Sequence, residues 1–572
     1  MKSRPTKVFG FLCALCVLCG ESLCFSLDRE AFSITNYDLN LQIEPEQHRL
    51  GARGKITLRN DTSIPQKIAV LQISSSLDWR SIKVADRPVQ FVRQPFTSDM
   101  DHTGALSEAI VTLPQEVAPH TTIDLDIGYE GVILLDTTRL TRIGTPEDIA
   151  KNSDWDRIDE DFTAVRGAGY VAWYPIATES VDLSEERDLS EILGRWKARE
   201  TTSEMNLFIA STKRYKILFS GTKNGFVMNT LNGSRPESAE SFSMVQPGAN
   251  VPTFVLADYK SVEANTNSSV NFFSGKEIVA ASYADVLGKL DPLPQLRVPG
   301  GLQVAQLSQS GAAPFVSGDL VLTPLSQLNN EGRLVLIYAL ARQKAYRRPW
   351  ISEGLAHLAQ LLDIQEQHGR SAALEYLKAH GALLLDSEAR LNQTDATPST
   401  SRTSLVSTTD DLYLQSKAMW VWWMLRDMIG EASFNIGLFS YEAHEDNDPT
   451  YMPRVIADHS HRDLQWFFDD WVYHDRGLPD FKVESAFASK TPTNGFMLTI
   501  TLDNLGTAGA EVPVIVTFAG GEVTKRIEVR AKSKTTVRVE TPAAPQEIRV
   551  NDGSVPEINP ANNVFKVEPP KD

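Results

Sequence analysis

Two glutamates and a histidine lie in a part of the chain where apolar residues recur at helical spacing. Glu331 stands in "NNEGRL", and Glu353 and His357 follow in "RPWISEGLAHL". A glutamate and a histidine four residues apart share one face of a helix, and together they can bind a divalent metal ion. The other interpretation is a hydrogen-bonded Glu353–His357 pair without metal, because these residues alone supply no third ligand.

The stretch "NNEGRL" also has an ordinary structural interpretation. Asparagine caps helix N-termini, and a glutamate in the first turn interacts favourably with the helix dipole. By itself the stretch therefore indicates only the start of a helix. Its spacing to "SEGLA" adds a second interpretation, because eighteen residues separate Leu334 from Glu353.

Three stretches of this helical part resemble motifs of one known family. "WISEGLA" resembles a helix that usually reads W-L-N-E-G-F-A, "SKAMWVWWMLRDMIG" resembles a K-G-A-x-x-L-x-M-L helix, and "WFFDDWVYHDRGLPDF" resembles W-F-x-x-W followed by G-x-P. The family is that of the aminopeptidase N zinc metallopeptidases, which are gluzincins. The opening "FSITNYDLNLQIEPEQHRLGARGKITLRN" is similar to the family's first strands, so the resemblance covers about residues 30–485.

The resemblance implies a zinc site from which two ligands are missing. The family motif is H-E-x-x-H, eighteen further residues and a glutamate, and Glu353 matches this last glutamate, the third zinc ligand. Counting back puts Asn330 and Leu334 in the places of the two histidines and Glu331 in the place of the general base. A carboxamide binds zinc far less well than imidazole, and leucine has no donor atom. We therefore expect no cofactor and no catalysis; the alternative is a rearranged zinc site that uses Glu353, Glu331 and His357.

The family's amine-anchoring motif, G-x-M-E-N, is also degenerate in this chain. Its nearest match is "GAAPF", in which the substrate-binding positions are Gly311, Ala312, Ala313, Pro314 and Phe315. The last three of these stand where the family has methionine, glutamate and asparagine. The resemblance therefore implies that the group which holds the free α-amine of a substrate is absent.

The family's catalytic tyrosine is the third functional position that departs from the pattern. It stands two residues before the lysine of K-G-A, which puts Gln415 in its place relative to Lys417. Tyr413, two residues earlier still, would substitute for it if the start of this helix were irregular.

Three folded regions must position these residues. Period-2 apolar patterning predicts an antiparallel β domain over residues 27–268, and helical periodicity predicts a mainly helical domain over 269–478. A second period-2 region predicts a β-sandwich over 479–560, before a polar tail at 561–572. The predicted fold class is thus α+β and multidomain. The resemblance further implies that the first domain is saddle-like and the second thermolysin-like.

Residues 1–26 have the pattern of a secretory signal peptide, with basic residues, a short apolar run and small residues. The other interpretation, a membrane anchor, needs a longer apolar run of about 20 residues. All four cysteines lie in this leader, so the mature chain would have neither disulfides nor thiolate metal sites. We expect a secreted or periplasmic protein with no membrane span in its mature chain.

The chain is acidic, with a formal net charge of -17. Such a charge repels phosphate backbones and argues against nucleic acid as a partner. The acidic run "DWDRIDEDF" at 154–162 lacks the central glycine and the terminal glutamate of an EF-hand loop, and we interpret it as surface charge.

The degenerate site predicts a pseudo-peptidase that binds a peptide or protein ligand. The binding surface would be the former cleft or the β domains, and the C-terminal β-sandwich is a further candidate as a partner-binding module. The competing hypothesis is a zinc aminopeptidase with a rearranged metal site.

Overall fold

The structure is a computed structural model of the chain. It describes residues 27–225, 236–248, 250–263, 270–275, 302–324, 330–342, 346, 348–394, 404–408, 410–474, 477–492 and 495–568. The predicted signal peptide at 1–26 lies outside the described residues.

The largest sheet of the N-terminal region has eight strands in which apolar and polar residues alternate. In β1 (Phe32–Glu44), for example, Leu39, Leu41 and Ile43 are buried between more exposed polar neighbours, as the two-residue repeat of a strand requires. Only β1 and β10 pair in parallel; all other neighbours in this sheet are antiparallel. In spatial order the strands are β12 (Thr222–Lys223), β13 (Ser238–Val245), β10 (Glu204–Ser211), β1, β2 (Arg49–Asn60), β8 (Thr122–Val132), β4 (Leu77–Val84) and β5 (Arg87–Pro88).

The described part of the N-terminal region also contains two three-stranded antiparallel sheets and three α-helices. The first sheet consists of β3 (Gln66–Ser74), β7 (Ala105–Val117) and β6 (Gln90–Thr97). The second consists of β11 (Lys216–Phe219), β14 (Phe254–Ala257) and β9 (Thr163–Val165). The helices are α1 (Thr138–Arg142), α2 (Glu147–Ser153) and α3 (Glu186–Arg199). The prediction of antiparallel sheets in this region is confirmed, with one parallel pair that alternation did not reveal.

A five-stranded mixed sheet crosses the predicted domain boundary at 268/269. Its inner strands β16, β17 and β19 are parallel, and its two edge strands β15 and β18 run antiparallel to their neighbours. The spatial order is β15 (Lys260–Glu263), β16 (Val270–Ser274), β17 (Leu302–Gln306), β19 (Leu320–Thr323) and β18 (Phe315–Ser317). All four residues of β19 are buried, which is typical of an inner strand covered on both faces.

The middle region is helical, as the sequence predicts. Its helices pack around large aromatic side chains, among which Trp350, Trp422, Trp423 and Trp471 are fully buried. The helices are α4 (Asn330–Arg342), α5 (Pro349–His368), α6 (Arg370–Thr394), α7 (Asp411–Ile429), α8 (Glu431–Phe439), α9 (Tyr451–Ser460) and α10 (Gln465–Phe468), which continues as a wider π-helical turn (Asp469–Tyr473).

Two antiparallel sheets form the C-terminal region and share one apolar core with helices α5 to α10. The first consists of β20 (Phe481–Lys490), β21 (Phe496–Asn504) and β24 (Lys534–Thr541). The second consists of β23 (Gly521–Val529), β22 (Ala510–Phe518), β25 (Pro545–Val550) and β26 (Val564–Lys566). β26 lies within the predicted tail at 561–572, so three residues of that segment pair with the sheet.

Within the described part of the chain, every helix is too short or too polar to cross a lipid bilayer.

Candidate functional site

Two small residues place α5 tightly against α7. A Cβ atom on Gly354 would lie 2.8 Å from the Cβ of Ala418 and 2.5 Å from Cδ1 of Trp422, so only glycine fits at this crossing. The rings of Trp350 and Trp422 stack beside it with centroids 5.2 Å apart. "SEGLA" and "SKAMW" therefore meet directly. Their contact fixes the position of Glu353, the residue before the glycine.

On its other side, α5 runs antiparallel to α4. Near the start of α4, the backbone carbonyl of Leu334 accepts a hydrogen bond of 2.9 Å from Nε2 of Gln360. One turn further along α4, the hydroxyl of Tyr338 donates to Oε2 of Glu353 at 2.6 Å. In the direction from Leu334 to Tyr338, the residue numbers of the contacting positions rise in α4 and fall in α5.

Glu353, Tyr338 and Arg342 form a compact polar group, which we call the Glu353 cluster. Nη1 of Arg342 donates to Oε1 of Glu353 and to the Tyr338 hydroxyl, the latter at 3.1 Å. The side chain of Glu353 is 13% exposed. Burial acts to raise its pKa, but the Arg342 guanidinium and the Tyr338 hydroxyl outweigh burial and lower that pKa. The carboxylate is therefore ionised and satisfied by α4.

An ion pair between two further helices also acts on the charges of the Glu353 cluster. Lys197 of α3 forms an ion pair with Asp411 of α7. Burial acts to lower the pKa of Arg342, but the charges of Glu353 and Asp411 and the Tyr338 hydroxyl raise it. Burial, followed by the charge of Glu353, raises the pKa of Tyr338. The phenol therefore stays protonated as a donor and the guanidinium stays charged.

His357 lies one turn after Glu353 on α5. Its Nδ1 is 3.0 Å from Oε1 of Gln360, and its ring centroid is 5.1 Å from that of Tyr338. The buried Nε2 has no hydrogen-bond partner among the described residues. Burial lowers the pKa of His357, and the charge of Glu353 only partly offsets this. The imidazole is therefore a neutral neighbour of the cluster, and its hydrogen bond is to Gln360 rather than to Glu353.

The residues around Glu353 do not fit a zinc ion. A catalytic zinc needs three protein donors at about 2 Å. Both oxygens of Glu353 already accept hydrogen bonds, and one of the donors is a guanidinium, which puts a positive charge where the ion would stand. Among the residues that the structure describes, no group of three or more histidine, cysteine, aspartate or glutamate side chains is arranged to hold a metal ion.

The predicted places of the zinc ligands and the base lie at the start of α4. Asn330 and Glu331 are its exposed first residues, and Leu334 is half-buried. The contact partner of Leu334 on α5 is Gln360, which lies seven residues, or about 10 Å along a helix, beyond Glu353. The structure therefore brings Glu353 to Tyr338 and Arg342 rather than to Leu334. Sequence reasoning missed these two residues, although they continue the face of Leu334 at intervals of four.

Tyr413 and Gln415 lie near the start of α7. Asp410 caps this helix by accepting a hydrogen bond from the backbone N–H of Tyr413, so the helix start is regular. The Tyr413 hydroxyl is buried, where it accepts a hydrogen bond of 2.6 Å from Nζ of Lys417 and lies 3.4 Å from Oε1 of Glu388. Gln415 is half-buried. The structure therefore gives Tyr413 a place in a buried polar group rather than beside Glu353.

The interpretation of residues 154–162 as surface charge is wrong for two of its aspartates. The side chains of Asp154 and Asp156 are 2% and 0% exposed. Arg139 binds Asp154 through two hydrogen bonds of 2.7 Å, and Arg166 binds Asp156 at 2.6 Å. Each buried carboxylate thus has a buried guanidinium partner, and this attraction offsets the cost of removing both charges from water.

The predicted amine-anchor segment packs against this ion-pair network. The guanidinium of Arg166 lies 3.9 Å from the ring centroid of Trp155, 3.7 Å from that of Tyr170 and 5.3 Å from that of Phe315. The indole N–H of Trp155 donates to the carbonyl of Ala313 at 3.1 Å. The buried Arg166 guanidinium therefore lies among the aromatic side chains that surround the segment.

The other residues of "GAAPF" hold the segment on α2. A Cβ atom on Gly311 would lie 3.0 Å from the Asn152 side chain, and the carbonyl of Asn152 accepts the N–H of Ala313 at 2.7 Å. Ala312 is buried and Pro314 is half-buried. Phe315 then begins the edge strand β18. The segment thus leads into an edge strand, and it packs against the N-terminal region through Asn152 and Trp155.

Comparisons with known proteins give structural matches alone. No family model matches the chain, and no curated protein matches it in sequence. The solved M1 zinc metallopeptidase of Deinococcus radiodurans matches with 17% sequence identity and a TM-score of 0.44, over 79% of this chain and 96% of that chain. A mutant of this metallopeptidase bound to a Tyr-Ser-Ala substrate matches with 17% identity and a TM-score of 0.45, over the same shares of the two chains.

Proposed function

We propose that this chain is a secreted or periplasmic relative of the aminopeptidase N family that holds no zinc, lacks peptidase activity and acts by binding a peptide or protein ligand. The observation that carries the proposal is the Glu353 cluster. In the motif that the chain resembles, Glu353 would be a zinc ligand with a free oxygen. Here its oxygens accept hydrogen bonds from Tyr338 and Arg342 instead.

The architecture that we propose has three parts. The N-terminal sheets form a saddle-like domain, the five-stranded sheet with α4 to α10 forms a thermolysin-like domain, and the two C-terminal sheets form a β-sandwich. The sequence motifs in α5, in α7 and around the π-helical turn support this assignment. The acidic charge supports a ligand other than nucleic acid.

Metal analysis of the purified full-length protein tests the loss of zinc. We expect less than a tenth of an equivalent of zinc per chain after dialysis against zinc-containing and then metal-free buffer, and no hydrolysis of amino-acid arylamides; the tenth is an order-of-magnitude threshold for a site without imidazole ligands. An active aminopeptidase N, prepared in the same way, is the positive control.

Stoichiometric zinc together with hydrolysis that a chelator abolishes would contradict the proposal. That result would support the rearranged zinc peptidase, in which case Glu353→Ala should remove both the metal and the activity.

A further inference from the structure

The contacts between α4 and α5 define one continuous register. Arg333 and Asp363 form an ion pair with an Nε–Oδ2 distance of 2.8 Å, and the next residue of α4, Leu334, contacts Gln360. Tyr338 then meets Glu353. These contacts follow in order along two antiparallel helices, so residues near the start of α4 cannot also lie beside Glu353 without a slip of about two turns.

The two α4 residues that meet Glu353 have the spacing of a metal-binding pair. Tyr338 and Arg342 are four residues apart, and side chains at this interval share one face of a helix. Their polar atoms converge on the carboxylate: the hydroxyl at 2.6 Å from Oε2, and Nη1 in contact with Oε1 and 3.1 Å from the hydroxyl. An i, i+4 pair facing a carboxylate from a neighbouring helix is the arrangement in which two imidazoles and a glutamate bind zinc.

The chemistry of the pair explains how the site is stable without a metal ion. A buried carboxylate without a cation beside it strongly destabilises the folded state. A chain that binds no metal ion at this site therefore needs another positive charge beside Glu353. The Arg342 guanidinium supplies that charge and is permanently protonated. The phenol and the guanidinium also reach further than an imidazole, and they fill the space that an ion would need.

We propose that Tyr338 and Arg342, rather than Asn330 and Leu334, occupy the positions from which α4 would present imidazoles to Glu353, and that the Arg342 guanidinium replaces the metal ion as the cation bound to this carboxylate. This inference rests on the proposed function, because it says what took the place of the zinc.

Two double substitutions in the full-length protein distinguish the two registers. Tyr338→His with Arg342→His places imidazoles opposite Glu353 and leaves room for an ion, since a Zn–N bond is only about 2 Å long. We expect this variant to bind one zinc ion per chain. Asn330→His with Leu334→His has the spacing that the sequence motif requires and is the matched control. We expect it to bind no more zinc than the wild-type chain.

Zinc per chain is measured by metal analysis, and its affinity by competition with a chromogenic chelator. Adding Glu353→Ala to the Tyr338→His/Arg342→His variant should weaken zinc binding at least about tenfold, because even loss of a residue that only supports a ligand costs that much. Zinc binding by the Asn330→His/Leu334→His variant that depends on Glu353 would overturn the inference. Failure of a folded Tyr338→His/Arg342→His variant to bind zinc would overturn it too.

A second measurement keeps the inference testable if the Tyr338→His/Arg342→His variant does not fold. Arg342→Met should lower the melting temperature, because it leaves the Glu353 charge unpaired. Glu353→Gln in the Arg342→Met background should then restore part of that loss. If the two substitutions lower the melting temperature independently, the guanidinium does not neutralise Glu353 and the inference fails. Zinc in the wild-type chain would instead contradict the proposed function, so the two failures are distinguishable.

Discussion

Glu353 and Glu200 show how the surroundings of a buried carboxyl set its charge. For Glu353, burial is outweighed by the Arg342 guanidinium and the pKa falls. For Glu200, burial dominates and raises the pKa to about 7, although hydrogen bonds from Ser203, Ile34 and other donors act to lower it. Glu200 follows α3, and its Oε1 is 3.4 Å from the backbone nitrogen of Ile34 in β1. The Glu353 carboxyl is therefore charged near neutral pH, whereas the Glu200 carboxyl takes up a proton as the pH falls below about 7.

The raised pKa of Glu200 predicts a pH-dependent stability of the N-terminal region. The pKa of Glu200 is 4.5 in the unfolded state and about 7 in the folded state. Between these two pH values the folded state keeps a proton on Glu200 that the unfolded state has released. The free energy of unfolding should therefore fall as the pH rises through this window, by up to about 3 kcal/mol at about 1.4 kcal/mol per pKa unit. Glu200→Gln should remove this dependence.

Urea unfolding at pH 5 and pH 8 measures the effect, with the exposed Glu522→Gln as the control. Equal pH dependence in wild-type and Glu200→Gln protein would contradict the prediction.

At the scale of elements, Gly354 determines how closely α5 approaches α7. Gly354→Ala should destabilise the protein by about 1–2 kcal/mol, because the cost of overpacking exceeds the gain in helix propensity. The added Cβ would meet Ala418 Cβ and a stacked indole, neither of which can rotate away.

Gly381 in α6 offers the matched control, since among the described residues the one heavy atom within 4 Å of its Cβ position is Trp420 Cζ2 at 3.8 Å. Gly381→Ala should therefore stabilise the protein by about 0.5–1 kcal/mol. Thermal or urea unfolding compares the two variants. A stabilising Gly354→Ala would show that the helix crossing is looser than described.

The helices were predictable from sequence, but their register was not. Apolar periodicity and the motif around Glu353 predict α5 and α7, and Gly354 with Ala418 shows why these motifs pack together. Counting residues back from Glu353, however, gives a spacing in the sequence and not the register of α4 against α5. The helix continues to Arg342, two turns further, and its length moves a different pair of residues opposite Glu353. For a fixed number of residues between Leu334 and Glu353, a longer α4 leaves a shorter loop before α5. The number of residues alone therefore does not determine which residues of α4 contact Glu353.

At the scale of the whole molecule, the helical and C-terminal regions form one packed unit. The indole N–H of Trp471 donates to the carbonyl of Gly509 at 2.7 Å, and Asp470 accepts the N–H of the same glycine at 2.9 Å. One apolar core extends from Trp350 in α5 to Val555 beyond β25, whereas the N-terminal sheets have a core of their own. The predicted domain boundary near residue 479 therefore divides the helices from the C-terminal strands along the sequence, but the two groups of elements share one apolar core.

Trp471→Phe should weaken both sides of this boundary together. It leaves the Gly509 carbonyl unpaired and a gap beside it, at a cost of about 1–3 kcal/mol. Amide hydrogen exchange should accelerate in α7 and in β22 to a similar extent, with no change in β1 and β2. Phe487→Ala is the control, because Phe487 is 70% exposed on β20. Faster exchange in β22 alone would mean that the C-terminal sheets unfold as an independent unit.

The order of the regions was predictable from sequence, whereas the five-stranded sheet was not. Strands with one buried face alternate in polarity, and this pattern is strong in β1, β2 and β21. Strands covered on both faces lose the alternation, as the buried "LVLT" of β19 illustrates. The sheet therefore crosses the predicted boundary at 268/269 without a signal in the sequence.

The parallel pairing of β1 with β10 has a consequence for how this protein is made. β1 finds its antiparallel partner β2 after a short turn, but Asn36 on its other edge pairs with Glu204. Closing so long a loop is slow, and until β10 has left the ribosome the second edge of β1 stays open. Open strand edges recruit other chains. The yield of soluble protein during synthesis, more than the stability of the finished molecule, should therefore be sensitive to changes in β1 and β10.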